Sequence, residues 1–290
     1  MREAMYWSVA GNGSVRCGLC PHRCHIAENA AGICGARINR NSELTASGYG
    51  QVSSVALDPI EKKPLYLFHP GKKVLSIGGF GCNLRCPFCQ NYEISTAYEA
   101  GARGKPLASV VPPEDIAALA VRTVTDGNIG VAYTYNEPLI GYEFLLDCAK
   151  LVRDEGLCNV IVTNGYINRA PLEGLLPFID AMNIDLKGFS DRFYGKLGGK
   201  LGPVKETIID AHKRCHVEVT TLVIPGENED DVEGLAKWLS SIDLCIPLHL
   251  SRFFPRYKYS DRDPTPRETI IRLRDAAKEH LKYVFAGNMR

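Results

Sequence analysis

From about residue 73 onward, short apolar runs alternate with longer segments whose apolar positions recur at helical spacing. VLSIGG (74–79), IGVAYTY (129–135), NVIVTNG (159–165), AMNIDLKG (181–188), HVEVTTLVIPG (216–226), IPLHLSRFF (246–254) and YVFAGN (283–288) read as strands. The pattern predicts helices over 112–126, 140–155, 170–176, 203–214, 229–242 and 265–281. In the first, Ile116, Leu119, Ala120 and Val124 share one face, and Glu114 and Asp115 follow Pro112 and Pro113 at the positive end. Gly156 stops the second, and Thr265, Pro266 and Glu268 make a cap set close to a capping box.

Strands alternating with helices imply parallel, right-handed β/α units. Six or more such units curl into an open or partial barrel, with its site at the carboxyl ends of the strands. Residues 1–70 lack this rhythm and read as short strands, turns and a cysteine-rich knot. The expected organisation is therefore a cysteine-rich segment over 1–70, suited to metal, and an α/β core over 71–290.

Composition narrows the function classes. The chain has 290 residues, 45% of them hydrophobic, which is enough for one large core. A net charge of +1 argues against nucleic acid or an anionic membrane as the main partner. No stretch approaches the roughly 20 apolar residues that span a bilayer. The start, MREAMYWSVAGNG, lacks the apolar centre of a signal peptide, and 11 cysteines then point to thiols used for metal in a reducing cytoplasm.

The chemistry concentrates directly after the first core strand. In GCNLRCPFCQN, Cys82, Cys86 and Cys89 have the spacing C-x3-C-x2-C, with Phe88 before the last. Three thiolates on one loop can hold three irons of a [4Fe–4S] cube and leave the fourth open, whereas electron-transfer clusters normally use four. The same residues could be buried small hydrophobes or part of a zinc knuckle, although structural zinc prefers four ligands. The motif resembles that of the radical S-adenosylmethionine (SAM) superfamily. The resemblance implies a partial (β/α)6 barrel in which the amino and carboxylate groups of SAM chelate the open iron. Reductive cleavage then yields methionine and a 5′-deoxyadenosyl radical.

Further strand ends carry matching residues. TYNEPLI resembles the segment that holds the SAM amino group: Glu137 and Pro138 match, and Asn136 stands where the family has glycine. Asn164 in TNG can bond a ribose or carboxylate. Asp185 and Lys187 share one side of a strand and resemble the Asp-x-Lys pair of enzymes that activate pyruvate formate-lyase, where it lies near SAM. His249, Ser251 and Phe253 alternate onto one side of a later strand, and His249 is a candidate SAM or substrate contact. Otherwise Glu137 is a helix cap, TNG a plain turn, the Asp-Lys pair a solvated strand end and His249 structural.

Cys17, Cys20, Cys24 and Cys34 form a second set, C-x2-C-x3-C-x9-C. Four thiols suit a closed zinc site, with a second [4Fe–4S] cluster as the rival. His22 or His25 could replace one of them. Cys148, Cys158, Cys215 and Cys245 are assigned to the core. SSVALDPIEKKPLYLFHPG (53–71), with Glu61, Lys62 and Lys63, is a possible lid or substrate contact. Together with CGLCPHRC and the motifs above, it resembles the AmmeMemoRadiSam radical SAM proteins, relatives of pyruvate formate-lyase activases. The resemblance implies hydrogen abstraction from a small-molecule or protein substrate, fed by an electron donor such as flavodoxin or ferredoxin. It names no substrate. The rival readings are a glycyl-radical enzyme activase proper and a metal-binding module without chemistry.

Overall fold

The computed structural model describes residues 2–98 and 107–289. Six short strands come first: β1 (Arg2–Glu3), β2 (Trp7–Gly11), β3 (Ser14–Cys17), β4 (His25–Ile26), β5 (Arg37–Arg40) and β6 (Glu43–Ala46). They pair antiparallel as two small sheets, β1-β6-β5 and β2-β3-β4. Eight strands build the main sheet: β7 (Ser54–Pro59), β8 (Lys73–Gly78), β9 (Asn128–Thr134), β10 (Cys158–Thr163), β11 (Ala181–Asp185), β12 (His216–Val223), β13 (Leu248–Arg252) and β14 (Val284–Gly287). They lie in chain order, with β7 and β14 at the two edges. Strands β8 to β14 run parallel, and β7 is antiparallel to β8.

The helices are α1 (Tyr92–Ser95), α2 (Pro113–Arg122), α3 (Tyr142–Asp154), α4 (Arg169–Leu175), α5 (Asp191–Lys196), α6 (Leu201–His212), α7 (Val232–Ile242) and α8 (Arg267–Lys278). Strands β8 to β13 thus head six β/α units, the partial barrel that the alternation predicts. Several details differ from the expectation. Strand β7 and helices α1 and α5 were not foreseen, and Val124 lies beyond α2 and is exposed rather than on its buried face. Cys245 is exposed rather than core. Thr265 does not cap α8: its hydroxyl donates to the Val223 carbonyl (2.6 Å) and accepts from the Phe253 amide (3.3 Å).

A half-closed barrel has a concave face that must be filled. Here the stretch after β7 fills one end of it. Ile60 and Leu65 are fully buried against Val74, Ala132, Val160 and Ala181, with Phe68 beside them. Polar ties hold this plug. Glu218 on β12 accepts from the amides of Tyr66 (3.0 Å) and Leu67 (2.8 Å), and Asn183 donates to the Pro64 carbonyl (2.8 Å). Glu218 also receives Nε2 of His216 (2.9 Å) and of His249 (2.6 Å).

The small sheets dock on the loop after β8. Gly81 has φ +88° and approaches the Cys34 carbonyl so closely that a Cβ would lie 2.5 Å from it. Nε2 of His22 bonds the Asn83 carbonyl at 2.7 Å. Arg85 donates to the carbonyls of Cys82 and Ile33, bridging the two cysteine loops. Arg37, buried, pairs with Glu143 on α3 and donates to the Met5 carbonyl and Cys17.

Two predictions follow from these ties. Burial alone would raise the Glu218 carboxyl, but the two histidines and two amides outweigh it and hold it at about 2, below its ordinary 4.5. A depressed carboxyl stabilises the fold above pH 4.5 and loses that contribution as pH falls toward 2. Glu218→Gln should therefore cost on the order of 2–3 kcal/mol at neutral pH. In urea titrations its deficit against wild type should shrink through that acid window; a constant deficit would contradict the assignment. Gly81→Ala meets both a left-handed φ and the Cys34 carbonyl, and should cost on the order of 2 kcal/mol or more in thermal unfolding. An unchanged midpoint would show that the N-terminal segment is not held there.

Candidate functional site

Each parallel strand delivers residues to one cavity of about 330 Å³ at the carboxyl-end face. The loop after β8 brings Cys82, Cys86 and Cys89. Strand β9 and its continuation bring Thr134, Tyr135, Asn136 and Glu137. Asn164 follows β10, Asp185 ends β11, and Lys187 lies just beyond. Thr220 and Leu222, spaced by two on β12, and Val162 and Ser251 line it from within their strands. The volume suits a small-molecule site.

The three thiols are close enough to influence one another. Burial, then Glu137 and the neighbouring thiols, push Cys82 well above the ordinary thiol range. Burial pushes Cys86 up to about 11, against the pull of the Lys187 ammonium. Thiols must lose their protons to take iron, and Lys187 is the cation placed to favour that. Burial opposes the charge on Lys187 itself, but Asp185, 2.5 Å away, and the Cys86 side chain hold it protonated.

Glu137 is wholly buried. Its carboxylate accepts from Thr163 Oγ1 (2.6 Å) and from the amides of Asn164 (2.8 Å) and Leu139 (3.0 Å). Burial raises it to about 7 despite these donors. It therefore caps the turn after β9 and also faces the cavity, so the two readings of this residue coexist. Asn136 lines the cavity, but its side-chain amide is committed: it accepts from Gly79 N (2.9 Å) and donates to the Gly81 carbonyl (3.0 Å), bracing the glycine-rich approach to the cysteines. Asn164 donates to Asn83 Oδ1 (2.9 Å) and lies 3.6 Å from Cys82 Sγ.

His249 is not brought to this cavity. It points into the barrel, as the alternation predicts, but one layer lower, where it meets Glu218, Tyr66 and Phe285. Ser251, two residues on, reaches the cavity instead, while Phe253 packs with Phe88 and Phe193. Sequence reasoning missed Asn83, Tyr135, Asn91 and Asp58. Asn83 lies inside the cysteine motif and could have been flagged by position. Asp58 and Tyr135 come together only through the pairing of β7 with β8.

The donor sets can be tested against the groups they are expected to hold. Among the described residues, no three or more His, Cys, Asp or Glu side chains converge closely enough for a single metal ion. One zinc would draw its sulfurs to about 3.8 Å from one another, given Zn–S bonds of about 2.3 Å. A cube takes each thiolate on a different iron and needs no such convergence. Cys82, Cys86 and Cys89, lining one cavity without a fourth Cys or His in it, fit a cube with one open iron. Cys17, Cys20, Cys24 and Cys34 also sense one another's charge. As folded they do not form the converged tetrahedral zinc site expected from their spacing. His22 is engaged elsewhere, by Asn83.

Comparison with known proteins agrees with this geometry. The model of the radical SAM superfamily matches residues 76–239. A protein of Methanocaldococcus jannaschii, itself uncharacterised, is 43% identical over 295 residues, covering 100% of this chain and 86% of its own. The pyruvate formate-lyase-activating enzyme of Clostridium pasteurianum is 27% identical over 218 residues, 70% of this chain and 89% of the enzyme. Streptococcus suis SuiB bound to S-adenosylmethionine shares the fold with a TM-score of 0.54 at 13% identity, over 72% of this chain and 48% of SuiB. The chain thus spans about half of SuiB, and that likeness concerns the fold alone. With the cysteine loop at the head of six β/α units and the family model spanning more than half of the residues, the chain belongs to the radical SAM superfamily.

Proposed function

We propose that this protein is an oxidoreductase that cleaves S-adenosylmethionine at a [4Fe–4S] cluster and uses the product to abstract hydrogen from a substrate. The observation that carries the reading is the cavity lining, where three thiols share one cavity with Glu137, Asn164, Asp185 and Lys187. When bound, the cluster supplies the electron that divides SAM into methionine and a 5′-deoxyadenosyl radical. The chain's own residues bind, orient and shield. Cys82, Cys86 and Cys89 hold the cluster. Glu137 accepts a hydrogen bond from the SAM amino group, Asn164 bonds its ribose or carboxylate, and the Asp185–Lys187 pair sets the charge beside it. Asn136 shapes the glycine turn rather than touching SAM, and His249 supports the plug.

In this reading residues 71–290 carry the reaction, and residues 1–70 cover and complete its cavity. Electrons come from an external carrier of the flavodoxin or ferredoxin kind. The substrate is a small molecule or a protein residue. Likeness to a pyruvate formate-lyase-activating enzyme supports the second, and a glycyl-radical partner is its specific form. The sequence motifs also resemble those of the AmmeMemoRadiSam branch.

Anaerobic reconstitution with iron and sulfide, followed by SAM and dithionite, tests the assignment. Cys86→Ala should lose the cluster and SAM cleavage together, whereas Glu137→Gln should keep the cluster and bind SAM about tenfold more weakly, a loss of about 1.4 kcal/mol. Full cleavage by the first variant, or unchanged affinity in the second, would sink the corresponding role. The N-terminal cysteines are read as a second metal site. Metal analysis should find about four irons and one zinc per chain, or about eight irons. About four irons without zinc would remove that site.

A further inference from the structure

The barrel plug carries two lysines into the cavity, and the site described so far gives them no task. Lys62 and Lys63 both line it, and Lys63 rests on Tyr135, just beyond the end of β9. Lys62 also lines a second, outer cavity of about 800 Å³. That outer space lies between the two edges of the sheet: Pro59 and Pro64 bound it beside β7, and Ala286 to Met289 bound it at and beyond β14. Lys62, Gln90, Ser251 and Asn288 line both cavities, so the two join at a throat.

Asp58 is the carboxylate that meets both ammoniums, at 3.1 Å from Lys62 and 2.9 Å from Lys63, so one carboxylate is shared between two cations. Glu61, a second carboxylate, also lines the outer cavity and accepts from the Gly71 amide at 2.6 Å. Asp185 is taken by Lys187. Lys63 is only 3% exposed, and a buried ammonium needs partners. It donates to Asp58 and rests on the Tyr135 ring, 4.6 Å from the centroid. An ammonium carries three donors, so capacity remains for a ligand oxygen.

The residues around Lys63 are braced rather than loosely packed. Tyr135 adopts φ +72°, a left-handed backbone uncommon outside glycine. Its hydroxyl donates to Asp58 at 2.7 Å, and Asn91, two residues past the cysteine motif, donates to its carbonyl at 2.7 Å. Gly78 leaves the space: a Cβ there would come within 2.9 Å of the Tyr135 ring. A strained residue held by three neighbours suits a preorganised binding site.

We propose that Lys62 and Lys63 form an anion-binding subsite in the throat, which receives a carboxylate or phosphate group of the substrate. The inference rests on the proposed reaction, for which it supplies a substrate class: molecules that bear an anionic group at the end facing the opening between β7 and β14. Lys62 meets the group at the throat. Lys63, fixed by Asp58 and Tyr135, sets how deep it sits.

Site-resolved amine labelling tests this on the anaerobically reconstituted full chain. The reagent is trinitrobenzenesulfonate, with malonate and inorganic phosphate as competitors at equal ionic strength and peptide mass spectrometry as the readout. Lys62 should be protected about tenfold at an anion concentration about ten times its dissociation constant, with exposed Lys237 unaffected. Protection by malonate alone would mark a carboxylate site, and protection by phosphate alone a phosphate site. Lys63→Gln should abolish the protection and Lys63→Arg should keep it. Equal response of Lys62 and Lys237 to both anions in the wild-type chain overturns the proposal, whether or not the variants fold. SAM cleavage by the same preparation separates the two levels. Cleavage without protection removes the subsite alone, whereas absence of cleavage removes the reaction it serves.

Discussion

The concave face of an open parallel sheet has to be filled at one end and kept hollow at the other, and the rest of this structure depends on how that division is made. Residues 60–68 fill the lower half with Ile60, Leu65 and Phe68. Glu218 and Asn183, projecting from adjacent strands, bind the backbone of that plug and so set its height. Above it, the inward positions of the same strands line a cavity instead of a core. A polar buried network is a costly way to stabilise a barrel, since every member must be satisfied. Here it fixes where packing stops and chemistry begins.

The cavity's electrostatics follow from the same arrangement. Burial shifts the protonation of Cys82, Cys86 and Glu137, and Lys187 is the cation that faces Asp185 and Cys86. The loop that carries the thiols is clamped from two directions. Asn136 and Asn164 hold it from the strand ends, while His22, Arg85 and the Cys34–Gly81 approach hold it from the N-terminal sheets. The segment that carries the N-terminal cysteines therefore packs directly against the loop of Cys82, Cys86 and Cys89.

Much of this was legible from the chain alone. The alternation of strands and helices predicts the parallel order, because seven strands buried by flanking helices must be apolar and short. The cysteine spacing and the residues at strand ends point to the same face, and Glu137, Asn164, Asp185 and Lys187 do meet there. What the chain concealed arises from long-range pairing. Nothing local marks 53–71 as an edge strand followed by a barrel plug; its lysines look like solvated charges until β7 pairs with β8. His249 is a related case. Period 2 correctly turns it inward, but its bond to Glu218, 31 residues away, and its place lining the outer cavity come from long-range pairing. The spacing of the N-terminal cysteines suggests a tetrahedral set; the fold brings the four thiols near enough to influence one another's charge, and which metal they hold is not written in the spacing.

The central claim is that the three-thiol loop presents one iron to SAM within reach of Glu137. Electron–nuclear double resonance on the reduced, reconstituted protein tests it most directly, using SAM isotopically labelled at its amino nitrogen and carboxyl carbon. The account predicts hyperfine coupling of both labels to the cluster, retained in Lys187→Arg and lost with the cluster in Cys86→Ala. A cluster that forms and reduces while neither label couples to it would contradict the account.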